Sequence, residues 1–142
     1  HPKIRIEALV DHNGDASSNI SIYFNDASNN GYNATFQSYN PTYLFIVRLT
    51  GGSSFPIAFD STPSIIAGTQ CLLRFDIVKG VSQTLTLMDA NNPSIILSSL
   101  AKTDTTHSVF DRVMILYGGN GAGGISDASN SKIDNLRITE LP

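Results

Sequence analysis

Short runs in which apolar and polar residues alternate recur along the whole chain, and they constrain its fold more than any other feature. Turn residues stand between the runs, as at Asn13-Gly14 and Lys79-Gly80. The runs that predict strands are Lys3–Val10, Asn19–Asn25, Tyr32–Ser38, Thr42–Thr50, Phe55–Phe59, Gln70–Lys79, Gln83–Asp89, Ser94–Ser98, Val109–Gly118 and a closing run from Lys132. Residues 99–108 are polar and predict a loop. The pattern predicts about ten strands and no amphipathic helix.

The composition supports the same fold class. Asn, Ser, Thr and Gly are abundant, whereas Glu occurs only at Glu7 and Glu140. This balance disfavours helices and suits strands joined by polar turns. A chain of 142 residues fits one domain with one core. We therefore predict a single all-β domain over residues 1–142, folded as a two-sheet antiparallel β-sandwich.

Charge, hydropathy and cysteine content exclude several functions. The net charge is −3 and Lys and Arg are scattered, which excludes the basic stripe of a nucleic-acid binder. No apolar run approaches the roughly 20 residues that cross a membrane. Cys71 is the single cysteine, so no internal disulfide forms, and its apolar neighbours predict a buried, inert thiol. The start at His1-Pro2 predicts a mature product or an excised module of a secreted, bacterial protein.

Four segments in the second half of the chain carry a family resemblance. They occur in the order Leu72–Val78, Gln83–Asp89, Val113–Gly119 and Ile133–Ile138. In this order they resemble the second half of the concanavalin A-like lectin/glucanase fold, including its laminin-G-like members. The closing segment is also similar to the last strand of jelly-roll carbohydrate-binding modules. The resemblance implies two curved antiparallel sheets, secretion, frequent Ca²⁺ binding and glycan partners.

Sugar binding requires an aromatic ring that stacks on C–H faces and planar polar groups that bond to hydroxyls. The chain has no Trp, so we assign the stacking role to tyrosine. Amide side chains at Asn33, Gln37 and Asn40 lie among three of the candidate tyrosines. The predicted ligand-binding residues are Tyr32, Tyr39, Tyr43, Tyr117, Arg48, Arg74 and Asn120. The alternative is that Tyr43 and Tyr117 fill the rim of the core and the others are ordinary surface residues.

A structural calcium site is the predicted cofactor. Calcium takes six to eight oxygen ligands from carboxylates, amides and carbonyls. The resemblance implies Asp134 on the closing strand as a ligand, and this strand is expected to pair with the first one. Glu7 or the turn of Asp11, Asn13 and Asp15 is the expected partner. The alternative is that Asp134-Asn135 caps a turn or bonds to backbone amides.

Catalysis is not expected. Glycoside hydrolysis on such a fold uses two carboxylates in one cleft, yet no predicted strand carries a set of alternating acidic residues. A histidine at position 1 can chelate copper, but this requires a second histidine on the same face. The glycine-rich segment 118–124 lacks the Lys-Ser/Thr of a phosphate-binding loop and precedes no helix. We therefore predict no catalytic residues.

The sequence thus predicts a noncatalytic, monomeric carbohydrate-binding module, tethered to the catalytic domain of a larger secreted glycan-degrading enzyme. Its partner would be a polysaccharide or oligosaccharide, and not a nucleic acid or a membrane. The first alternative is a structural or adhesive module, which predicts an exposed apolar patch. The second is a glycoside hydrolase or polysaccharide lyase with carboxylates drawn from distant strands.

Overall fold

A computed structural model describes residues 3–11, 18–37, 43–61, 70–119 and 132–142. This part of the chain contains ten strands and no helix. The strands are β1 (Lys3–Asp11), β2 (Ser18–Asn25), β3 (Gly31–Gln37), β4 (Tyr43–Thr50), β5 (Ser53–Asp60), β6 (Gln70–Val78), β7 (Ser82–Asp89), β8 (Ile96–Lys102), β9 (Arg112–Gly119) and β10 (Lys132–Leu141). The described residues form no helix that is long and apolar enough to cross a membrane.

The strands form two five-stranded sheets. Sheet A has the order β10-β1-β6-β7-β8, and sheet B has the order β5-β4-β3-β2-β9. Every neighbouring pair is antiparallel. Strand β8 of sheet A packs against β4 and β5 of sheet B, so the sheets lie face to face. The predicted two-sheet antiparallel β-sandwich is confirmed.

The core lies between the sheets and follows from the period of two within each strand. Strand β6 shows this most clearly, because Cys71, Leu73, Phe75 and Ile77 are fully buried and alternate with partly exposed residues. Full burial of one large apolar side chain contributes about 1.5–3 kcal/mol. The buried thiol predicted for Cys71 is confirmed.

The strand predictions agree with the structure except near β8 and at the start of β9, which begins at Arg112 and not at the predicted Val109. The expected strand at 94–98 begins later, at Ile96, and continues to Lys102. Residues 99–102 are therefore strand, and the loop predicted for them is wrong. The later start has a local cause, because the Ile95 N–H donates to the carbonyl oxygen of Asn92 at 2.9 Å and closes a turn. The polar end of β8 is tolerated because this strand is an edge of its sheet.

Candidate functional site

The face of sheet B that is turned away from the core carries a polar row with aromatic rings beside it. The register places Ser21 opposite Thr35, Thr35 opposite Phe45, and Phe45 opposite Phe59. Residues opposite each other in antiparallel strands share a face, so these four side chains lie on one face of the sheet. We call the polar side chains of Ser21, Asn33 and Thr35 on this face the polar row. We call this surface the outer face of sheet B. Its other members include Tyr23, Asn25, Asn33, Gln37, Tyr43, Val47, Leu49, Ser54, Met114 and Leu116.

A directional hydrogen-bond chain fixes the polar row. The Thr35 hydroxyl donates to Oδ1 of Asn33 at 2.7 Å. Because that uses the single proton of Thr35, the 2.9 Å contact between Ser21 Oγ and Thr35 Oγ1 must have Ser21 as its donor. Asn33 as a residue is 5% exposed, so only a small part of it faces solvent. The chain therefore presents Asn33 as a hydrogen-bond donor with a fixed amide orientation.

Three aromatic rings stand next to the polar row. The ring centroids of Tyr43 and Phe45 are 5.5 Å apart, and those of Phe45 and Phe59 are 6.2 Å apart with the rings stacked. Tyr43 lies 6.5 Å from Phe59, and the Phe59 side chain is 61% exposed. We call these three residues the aromatic cluster. Because Gln37 is opposite Tyr43 in the register, an amide side chain borders the cluster directly.

A shallow cavity of about 230 Å³ lies on the same outer face. Its lining consists of Tyr23, Asn25, Asn29, Leu49, Gly52, Ser54, Met114 and Leu116. The Arg112 guanidinium fixes its polar side by donating to Oδ1 of Asn25 at 3.3 Å and to Oδ1 of Asn29 at 3.2 Å. The amides in the cavity are therefore held in place before any ligand arrives.

Two predicted sugar-binding residues belong instead to a buried cluster between the sheets. The Tyr32 ring is fully buried, and its hydroxyl donates to Oδ1 of Asp104 at 2.8 Å. The predicted stacking role of Tyr32 is wrong, because a buried ring offers no face to a sugar. Arg48 Nη1 donates to Oδ2 of the same carboxylate at 3.0 Å, and the guanidinium also lies 5.3 Å from the centroid of the Phe55 ring. Arg48 thus anchors the loop after β8, and its register position is on the inner side of sheet B.

The carboxylate of Asp104 is the electrostatic centre of that cluster. Burial by itself would raise its pKa, but hydrogen bonds from Thr106, Tyr32 and Arg48 outweigh burial and lower the pKa to about 2. For Tyr32, burial and the hydrogen bond to Asp104 together raise the pKa of the hydroxyl far above its usual value. The pair is thus a neutral donor and an ionised acceptor at neutral pH.

Arg74, a predicted sugar-binding residue, forms an ion pair with Glu7, a predicted calcium ligand. Arg74 Nε donates to Oε1 of Glu7 at 2.7 Å on the outward face of sheet A, on the opposite side of the molecule from the cavity. Arg74 is therefore not part of the outer face of sheet B. Glu7 does not fit a calcium site, since a cation would have to displace Arg74 and would also lie near Arg5.

The structure describes only part of the rest of the predicted calcium site. Strand β10 pairs with β1, as predicted, and Asp134 lies opposite Leu9. The side chains of Asp134 and Asp11 lie outside the described part of the structure. Among the described side chains, no three His, Cys, Asp or Glu residues lie close enough to hold a metal ion. Calcium at this edge stays a prediction.

The other predicted ligand-binding residues divide into two groups. Tyr39 and Asn120 lie outside the described residues, and Tyr117 is described only as a backbone position opposite Ile20. Tyr43 lies on the outer face of sheet B together with Asn33 and Gln37, as the sugar-binding prediction requires. Sequence reasoning missed Phe45, Phe59 and Tyr23. The first of these was detectable, because it is two residues from Tyr43 and shares its face.

No protein-family model and no curated protein matches the sequence. Among solved structures, the carbohydrate-binding module CBM66 from Bacillus subtilis superposes with a TM-score of 0.62 at 15% identity, over 97% of this chain and 75% of that one. Sheep galectin-11 in complex with glycerol gives 0.60 at 9% identity, over 96% and 90% of the two chains. Chicken galectin 2 gives 0.59 at 11% identity, over 97% and 89%. The chain therefore has the lectin-like, jelly-roll β-sandwich fold of concanavalin A-like type.

Proposed function

We propose that this chain is a noncatalytic carbohydrate-binding module and that the outer face of sheet B binds a polysaccharide or oligosaccharide. The observation that carries the proposal is that Thr35 and Gln37 lie opposite Phe45 and Tyr43 of the aromatic cluster, with the Asn33 amide hydrogen-bonded to Thr35 on the same face. Amide groups bond to the hydroxyls of a sugar, and exposed rings cover its C–H faces. Both groups are fixed in advance, which lowers the entropy cost of binding.

Two further observations support a binding role. The fold is shared with a protein that is described as a carbohydrate-binding module. The described positions of the outer face of sheet B hold no Asp or Glu, whereas hydrolysis of a glycosidic bond uses a pair of carboxylates. In the setting that the sequence predicts, a secreted glycan-degrading enzyme, the module would hold the enzyme on its polysaccharide.

Affinity electrophoresis of the purified chain through gels that contain different polysaccharides tests the proposal. We expect at least one polysaccharide to retard the protein. Tyr43→Ala and Asn33→Ala should each weaken that interaction about tenfold or more, which corresponds to about 1.4 kcal/mol. The matched control is Thr86→Ala, which removes a similar polar side chain from the outward face of sheet A and should bind normally.

Three outcomes would count against the module. One is the absence of retardation by every polysaccharide. Another is equal loss of binding in Thr86→Ala and Tyr43→Ala. The third is release of reducing sugar by the pure protein, which would favour the hydrolase or lyase alternative.

Exposed apolar side chains favour the adhesive alternative as a second candidate function. Met114 and Leu116 on β9, and Leu136 and Ile138 on β10, are exposed on strands at the edges of their sheets. Exposed apolar edge strands promote association. Sedimentation velocity over a range of concentrations tests this function. Self-association that Ile138→Glu removes would support it, and a monomer at all concentrations would argue against self-adhesion.

A further inference from the structure

We infer that the glycan bound by this chain is uncharged, and that it contacts the outer face of sheet B over several sugar units, from the aromatic cluster to the cavity. The inference rests on the proposed function, because it specifies the ligand of the same face. It depends on where the charged side chains of the two sheets lie.

The outer face of sheet B is almost free of charge. Among its described positions, the register places a single charged residue, Arg112, at one corner. The guanidinium of Arg112 already donates to the amide oxygens of Asn25 and Asn29. The described side chains at the centre of the face are uncharged, with Asn33 and Thr35 between the aromatic cluster and the cavity.

This arrangement disfavours acidic sugars on that face. A carboxylate or sulfate that leaves water to bind there loses hydration, and the one cation on the described part of the face, Arg112, lies at a corner and is too far from the centre to compensate for the loss. The hydroxyls of a neutral sugar both donate and accept hydrogen bonds, and amide side chains match both roles. The face is therefore complementary to a neutral glycan and not to an anionic one.

The outward face of sheet A has the opposite character. Its described side chains include Lys3, Arg5, Arg74 and Arg137 with Glu7 and Asp76, and the register also places the positions of Lys132, Asp11 and Asp134 on this face. Both described carboxylates are in ion pairs. Asp76 lies 2.8 Å from Arg5, and Glu7 lies 2.7 Å from Arg74. A polyanion would be attracted to sheet A, so the two ligand classes would bind to different sides of the molecule.

The distance between the two apolar regions sets the length of the ligand. The aromatic cluster lies at one end of β4 and β5, whereas the cavity extends from Met114 and Leu116 on β9 to Leu49 and Ser54 on β4 and β5. Its near edge, at Leu49, is four residues from Phe45 along β4, roughly 13 Å, and its far edge on β9 is three strand-to-strand steps from β4, roughly 14 Å. A single sugar ring is too short to reach both regions. An oligosaccharide that crosses the strands would contact the cluster, the polar row and the cavity at once.

Isothermal titration calorimetry with matched polymers tests the inference. The probes are a set of neutral polysaccharides and the carboxymethylated and sulfated derivatives of the same backbones, each titrated at low and high salt. We expect a neutral polymer to bind with little salt dependence, and its charged derivatives to bind about tenfold more weakly or worse. Phe59→Ala and Leu116→Ala, one at each end of the face, should both weaken binding. Arg74→Gln on sheet A is the matched control and should not.

The outcomes separate this inference from the proposed function. Tighter binding of the charged derivatives, lost at high salt and in Arg74→Gln, would overturn the neutral ligand and leave sugar binding intact. Equal affinity for a monosaccharide and for longer oligosaccharides would overturn the extended contact. An absence of heat with every polymer, neutral or charged, would overturn both the inference and the proposed function.

Discussion

At the scale of single residues, burial gives Tyr32 on β3 and Tyr43 on the adjacent strand β4 different roles. Tyr32 is enclosed between the sheets and bonded to Asp104, whereas Tyr43 stands beside Phe45 on the outer face of sheet B. The period of two within β3 already separates Tyr32 from Asn33, because adjacent residues in a strand point to opposite faces. The sequence therefore already indicated that Tyr32 and Asn33 do not share a site. It did not contain the partner of the Tyr32 hydroxyl, which comes from a loop 72 positions away.

Tyr32→Phe tests the structural role of the hydroxyl. The substitution keeps the ring in the core but leaves Asp104 without one of its donors. We expect the free energy of unfolding to fall by about 1–2 kcal/mol in urea titrations, because a buried hydrogen bond to a charged group is lost. Glycan binding in affinity electrophoresis should stay at the wild-type level. Loss of binding with unchanged stability would return Tyr32 to the sugar site.

Acid should weaken the contribution of Asp104 to stability. Its pKa is lowered to about 2 in the folded chain, so the ionised carboxylate stabilises the fold at pH values above its unfolded pKa of about 4. This contribution is lost as the pH falls from about 4 towards 2. We expect Asp104→Asn to be less stable than the wild type by about 1–3 kcal/mol at neutral pH, with the difference narrowing in acid. A difference that stays constant down to pH 2 would contradict this assignment.

At the scale of elements, alternation predicted a run at each of the ten strands, because most have a clear apolar face or end in strong turn residues. Strand β8 was placed too early, since its second half is polar and its start depends on a turn closed by a backbone hydrogen bond from Ile95. Propensity cannot show such a bond. An edge strand also needs fewer apolar residues than an interior one, so its sequence signal is weak.

The turn between β2 and β3 gives a prediction about a single element. Gly31 has a φ of 148°, and a Cβ at this position would collide with the carbonyl oxygen of Phe24. We expect Gly31→Ala to destabilise the protein by about 1–3 kcal/mol, measured by thermal and urea unfolding. Gly51→Asn is the control, because Gly51 has a φ of 56° with open space around it, a conformation that Asn tolerates. Equal stability of Gly31→Ala and Gly51→Asn would contradict the steric explanation.

The pairing of β1 with β10 keeps the calcium prediction testable. If calcium binds near Asp134, EDTA should lower the melting temperature of the protein and added Ca²⁺ should restore it. Asp134→Asn should abolish that response, whereas Asp89→Asn, at the end of β7 in sheet A, should retain it. A melting temperature that is the same with EDTA and with Ca²⁺ would contradict a calcium site near Asp134.

At the scale of the whole molecule, the fold was predictable and most of the site was not. The strands, their number and the sandwich follow from local alternation, but the outer face of sheet B combines five strands in the order β5-β4-β3-β2-β9. Local sequence could associate Tyr43 with Asn33 and Gln37 because β3 and β4 are adjacent in the chain. It could not place Met114 near Tyr23, which are 91 positions apart and meet only through the β2–β9 pairing. The separation of charge onto sheet A depends on the same long-range order.

Nuclear magnetic resonance mapping shows directly which sheet binds the sugar. The ¹⁵N-labelled chain is titrated with a neutral oligosaccharide that retards it in gels. If the outer face of sheet B binds the sugar, amide shift changes will concentrate in β2, β3, β4 and β9, with the side-chain amides of Asn33 and Asn25 among the most affected. Shift changes confined to β1, β6 and β7 would place the sugar on sheet A. That result would contradict the assignment of the outer face of sheet B as the binding site.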